Sequence, residues 1–147
     1  MSAKLSIFAA SLMLAFRITS PAIERTIDEQ TARHLVEGAL QALSEDPKRV
    51  SIDIWRYYSA PEFYNFSAAR AGSQGVLIVH YLSVNSWTGD VWDAMACKRL
   101  ITPQLKGEQD VIWQQSGIPA EARAEFSNRS PGGCASKNSS GRVDKKH

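Results

Sequence analysis

Apolar residues at Ala32, Leu35, Val36, Ala39, Leu40 and Leu43 recur every three or four positions. That spacing puts one stripe along a helix and predicts an amphipathic α-helix running to about Ser44. The run Thr26-Ile27-Asp28-Glu29 has the form of a capping box, with the Thr26 hydroxyl taking an orphan helix N–H while Glu29 reaches back. Asp46-Pro47 stops the helix, because a residue before proline disfavours helical geometry. Gly38 interrupts the stripe, either as a weak point or as a place where the helix lies close to a sheet. The period then falls to two. Val50, Ile52 and Ile54 alternate with Ser51, Asp53 and Trp55, which predicts a strand. A second strand is expected over Phe63 to Ala69. A third runs from Val76 to Val84, apolar on both faces and so central. Asn85-Ser86-Trp87-Thr88-Gly89-Asp90 is a turn with a glycine able to take positive φ, and Val91 to Met95 returns from it.

Thr102-Pro103 opens a second helix, with threonine as N-cap and proline at the first helical position. Leu105, Ile112 and Trp113 are its expected buried side chains, and Ser116-Gly117-Ile118-Pro119 ends it. Pro119 to Phe126 has room for one more short helix. The expected class is therefore α+β: an N-terminal helix packed on a four-stranded antiparallel meander, followed by a second helix. A cone-shaped α+β domain similar to the nuclear-transport-factor-like superfamily is the alternative, favoured if the sheet encloses a polar pocket holding Asp53 or His80.

Residues 1–22 read differently from the rest. Lys4 precedes an apolar stretch from Leu5 to Phe16, and Ser20-Pro21-Ala22 resembles a cleavage site, the pattern of a signal peptide. The stretch is far short of the roughly 20 residues a bilayer span needs, so no stable membrane span is expected. Its removal takes away Lys4 and Arg17 from 17 basic groups and leaves 15 against 15 acidic, net zero. From Ser127 onward, five basic residues oppose only Asp144, and almost nothing is apolar. A single domain over 23–126 and a mostly disordered basic tail over 127–147 are expected. This balance does not suit a nucleic-acid partner, which calls for a basic surface pairing many phosphates. Two cysteines, Cys97 and Cys134, form an even count, and in a periplasmic or secreted protein they predict a disulfide. Two free thiols follow if the chain stays in the cytosol.

The helix-then-meander order, ending in Val84-Asn85-Ser86-Trp87-Thr88-Gly89-Asp90-Val91-Trp92-Asp93, resembles PepSY-like domains and related small cystatin-like exported proteins. The resemblance covers roughly Thr31 to Asp93. Asn85 stands where such hairpins carry an aspartate or asparagine, and Trp87 is a departure. The second helix and the Cys97/Cys134 pair lie outside the pattern. The resemblance implies a non-enzymatic exported domain that restrains a peptidase or contacts an envelope protein.

Little in the chain suggests catalysis. The three histidines, His34, His80 and His147, are too far apart in sequence to pair as metal ligands on one helix or strand. Asp53, Asp93 and His80 could still converge in a sheet, but for His80 a bond to a neighbour is the simpler expectation. There is no Gly-x-Ser-x-Gly elbow, phosphate-binding glycine loop or His-Glu-x-x-His. No enzyme activity, catalytic residue, metal or cofactor is expected. Aromatics fall on or beside the strands, and Trp55, Tyr57, Tyr81 and Trp92 are the candidate partner face if one sheet face is left partly uncovered. The expected function is an exported small module that binds a protein partner.

Overall fold

Asp28, and not Thr26, caps the first helix. Its carboxylate accepts the Thr31 N–H at 2.8 Å, and α1 runs Glu29–Ala42. A carboxylate at the cap also favours the positive end of the helix dipole. Thr26 is used elsewhere: its hydroxyl donates to the Ser86 and Trp87 carbonyls at 3.1 and 2.6 Å. The Thr26 and Ile27 N–H groups both reach the Ser86 carbonyl, so the segment before α1 straps the chain to the β3–β4 turn described below. These contacts come from a computed structural model that describes residues 25–55 and 62–134. The expected signal peptide, Tyr57 and the tail beyond Cys134 lie outside the described residues.

Five antiparallel strands follow in sequential order: β1 Ser51–Ile54, β2 Phe63–Gly72, β3 Gly75–Asn85, β4 Val91–Asp93 and β5 Lys98–Leu100. The α+β meander is as expected, with a fifth strand added. β5 pairs Leu100 with Val91 and Arg99 with Trp92. Its three residues contain one apolar side chain, too few to show a period of two. Two more helices complete the chain, α2 Pro103–Gln115, capped by Thr102, and α3 Ala120–Ser127.

The α1 stripe packs on Phe66, Ala68, Leu82, Val84 and Val91, and Leu105 from α2 closes the cluster. A 14-residue helix is marginal alone, and this burial is what stabilises it. At Gly38 the close neighbours are Gln104 and Leu105 of α2, so the glycine marks a helix–helix approach rather than a helix–sheet one. β3 is central, but its first half is not buried: Val76 and Leu77 are 76% and 64% exposed. The β2–β3 hairpin is longer than its neighbours, and a register shift after Ala68 leaves Val79 as an extra residue. β1 pairs only with 66–69 and β4 only with 82–84, so the hairpin end from Arg70 to Ile78 extends past both.

Candidate functional site

Side chains alternate across a sheet, and Phe66, Leu82 and Val91 face α1. Asn65, Tyr81, Ser83, Asn85, Trp92 and Arg99 therefore face the other way. The register agrees, since Ser83 lies opposite both Asn65 and Trp92. Trp55 joins this far face just beyond β1, where its N–H donates to the Asn65 carbonyl at 2.6 Å. Three of the four aromatics expected on a partner face, Trp55, Tyr81 and Trp92, thus share one surface.

One end of that surface is covered. Asn85 Nδ2 donates to the Phe126 carbonyl at 2.9 Å, and Arg99 Nη1 to the Ser127 carbonyl at 3.4 Å. Phe126 packs on Trp87 at 5.0 Å between ring centroids. Phe63, Trp87 and Phe126 are buried outside the helix-side core. Arg129 lies over both the Trp87 and Phe126 rings and pairs with Glu62 at 2.6 Å. Pro131 is fully buried. Residues 127–131, expected in the tail, hold the end of α3 against the sheet.

Among the described residues the other end is open. Trp55 stacks on Tyr81 with centroids 5.1 Å apart and planes 21° from parallel, and Trp55 remains 39% exposed. Beside the pair is a cleft of about 280 Å³ lined by Trp55, Asn65, Tyr81, Ser83, Ala94, Met95 and Gly132, with Phe66 and Leu82. Ser83 Oγ donates to Asn65 Oδ1 at 2.6 Å within it. Among the described residues no charged side chain lines it. The far rim is a turn in which Asp93 Oδ1 accepts the Met95 and Ala96 N–H groups at 2.9 and 3.0 Å. Cys97 ends that turn at φ +50° and is bridged to Cys134, the Cα atoms 5.3 Å apart. The expected disulfide is present.

Trp92 shares the face but does not line the cleft, and its indole Nε1 is buried with no partner among the described residues. Sequence reasoning missed Met95, Asn65, Ser83 and Gly132. Alternation from Tyr81 could have found Ser83, and through it Asn65. Nothing local marks Gly132, which the bridge brings in from the far end of the chain.

The titratable residues considered for chemistry do not converge. His80 faces α1, 3.7 Å from Glu45, which also pairs with Arg70. Asp53 is exposed on the opposite face. Asp93 caps the turn after β4. Neither Asp53 nor His80 lines the cleft. Among the described residues no cluster of three or more His, Cys, Asp or Glu side chains could hold a metal ion, and no helix is long and apolar enough to cross a membrane.

No family model matches the chain. No curated protein matches it either. One solved structure, a type VI secretion system effector-immunity complex from Pseudomonas protegens, contains a similar chain. The two superpose with a TM-score of 0.57 at 21% identity, covering 69% of this chain and 86% of that one. At that identity the likeness is one of fold.

Proposed function

We propose that this protein is an exported module that binds and restrains an enzyme acting in the cell envelope, as an immunity protein restrains an effector. The observation that carries the reading is the Trp55–Tyr81 stack, with Trp55 39% exposed, above a cleft whose described lining is uncharged. Aromatic and methionine side chains on a sheet face and the turn beside it are the composition of an interface core. Met95 at the rim is 65% exposed. The fold is shared with a chain of an effector-immunity complex, which supports a protein partner. The PepSY-like and cystatin-like resemblance favours a peptidase as the class restrained. Export is supported by the signal-like residues 1–22 and by a disulfide suited to an oxidising compartment.

The test is inhibition and calorimetric titration of secreted effectors and envelope peptidases from the same source. The titrant is the mature, oxidised protein, with Trp55→Ala and Tyr81→Ala beside it. Hot-spot truncations cost about 2 kcal/mol or more, roughly 30-fold in affinity. Loss of that size in both variants, with Leu77→Thr on the distant hairpin unchanged, supports the reading. Variants that bind and inhibit like the parent would sink it. N-terminal sequencing of native material checks export, with a mature start near Ile23 expected and an intact Met1 counting against it.

A further inference from the structure

The geometry points to the Cys97–Cys134 bridge as the device that completes the binding cleft, so that the cleft is competent only when the bridge is oxidised. This inference rests on the reading of the Trp55–Tyr81 face as the binding surface and adds its regulation. One wall of the cleft, Asn65, Tyr81 and Ser83 with Trp55, stands on β2, β3 and the residue after β1, and is fixed by the sheet and by the Trp55 N–H to Asn65 carbonyl bond. The opposite wall belongs to no strand or helix. It consists of Ala94 and Met95 from the turn after β4 and Gly132 from the segment after α3. These two pieces are far apart in sequence, and the bridge joins them two residues from Met95 and two from Gly132. Both sulfurs lie 3.7 Å from the Ala94 carbonyl oxygen, directly behind the wall.

Other anchors of the C-terminal segment stop short of the cleft. Phe126, Arg129 and the buried Pro131 hold it as far as residue 131. Gly132 and Gly133 bring no side chains, and Gly133 sits at φ +89°. Gly132 follows directly on Pro131 in a turn closed by the Cys134 N–H to Pro131 carbonyl bond at 3.0 Å, and the bridge is what ties that turn to the Met95 turn across the rim. A dithiol reductant cleaves it by exchange: each cysteine sulfur gains one electron and one proton, and the dithiol leaves as its own disulfide. The fold persists, because the buried residues of the helix-side core run from Ile27 to Leu105 and none comes from the segment the bridge holds. The wall loses its tie, and Met95 and Gly132 separate.

Nuclear magnetic resonance on the full mature chain tests this with indole, a neutral aromatic suited to the aromatic and apolar side chains of the described lining. The arms are oxidised protein, protein reduced with dithiothreitol, and Cys97→Ser/Cys134→Ser. Saturable shifts of the Met95 methyl and Tyr81 ring signals are expected when oxidised, with affinity falling at least 10-fold in the other two arms. Amide exchange should rise at 132–134 while Phe66 and Leu82 stay protected. Equal indole affinity in all three arms overturns the inference, as does absence of indole binding to the oxidised form. Loss of protection at Phe66 and Leu82 on reduction also overturns it, since the bridge would then be a global staple. The outcome is separate from that of the functional reading. Redox-dependent indole binding with partner affinity indifferent to Trp55→Ala sinks only the reading. Redox-independent indole binding with partner affinity dependent on Trp55 sinks only the inference.

Discussion

Asn85 Nδ2 donates to the Phe126 carbonyl oxygen at 2.9 Å, joining the end of β3 to the end of α3 across 41 residues. The same amide accepts the Trp87 and Thr88 N–H groups through Oδ1 at 2.9 and 3.2 Å, and the residue is fully buried. One side chain thus folds the β3–β4 turn and docks the C-terminal segment. Asn85→Ala leaves the buried Trp87 and Thr88 N–H groups without their side-chain acceptor and removes the tie to α3, and a loss of about 2–4 kcal/mol in urea unfolding is expected. Asn85→Asp keeps the acceptor oxygens but removes the donor and sets a carboxylate against the Phe126 carbonyl. It should cost at least as much at pH 7 and recover part of the loss as the pH is lowered and the carboxyl protonates. Denaturant midpoints at pH 7 and pH 4 check both.

Gly89 is the second fixed point of that turn. It takes φ +70°, and an added Cβ would stand 3.0 Å from Ile112 Cδ1 and 3.2 Å from Leu35 Cδ1. Gly89→Ala meets both a left-handed backbone and overpacking between α1 and α2. Its cost is on the order of 3 kcal/mol. Gly107, an exposed glycine inside α2 with open space around it, serves as the control. Gly107→Ala should stabilise slightly through helix propensity. Thermal melts of the two variants should move in opposite directions.

The pattern of residues made α1, the strand order and the Thr102 cap legible, because each rests on local periodicity or a cap at a fixed offset. The turn 85–90 reads as an ordinary polar surface turn, yet all six residues are buried. Its burial comes with side chain–backbone bonds to the Thr26 strap, α2 and α3 and a backbone–backbone bond to Glu62, none of them local. Val76 to Ile78 mislead in the reverse sense: they have the composition of a core strand but lie on a hairpin that outruns its neighbours. Trp55, Tyr81 and Trp92 were legible as one face because strand alternation alone decides it. The cleft was not, since half its wall is irregular chain held by a long-range bridge.

Asp28 gives a pH prediction. The Thr31 N–H bonded to its carboxylate holds its pKa below the usual carboxylate range. A folded-state pKa below the unfolded one means that the cap's contribution is fully present above the unfolded value. It is lost as the pH falls through the folded one. Asp28→Ala should therefore be less stable than the parent at neutral pH, with the difference vanishing in strong acid. Amide exchange in the first turn of α1 checks it locally. Unchanged exchange at Thr31 and Ala32 in the variant at pH 7 would count against the cap.

Arg129 joins more parts of the far face than any charge considered during sequence reading. Its guanidinium pairs with Glu62 at 2.6 Å and Glu125 at 3.0 Å, and lies 5.2 and 4.8 Å from the Trp87 and Phe126 ring centroids. Each ion pair is partly exposed and worth little alone, but cation–π contact with two rings adds to both. Arg129→Ala should cost about 1–2 kcal/mol, mostly through lost ring contact. Because the rings and not the charge dominate, the loss should change little between low and high salt. Arg129→Lys should recover less than half of it, having neither the fork for two carboxylates nor a plane to lay on the rings. Chemical denaturation at two ionic strengths separates these terms. Full rescue by lysine, or a loss abolished by salt, would assign the residue to simple ion pairing.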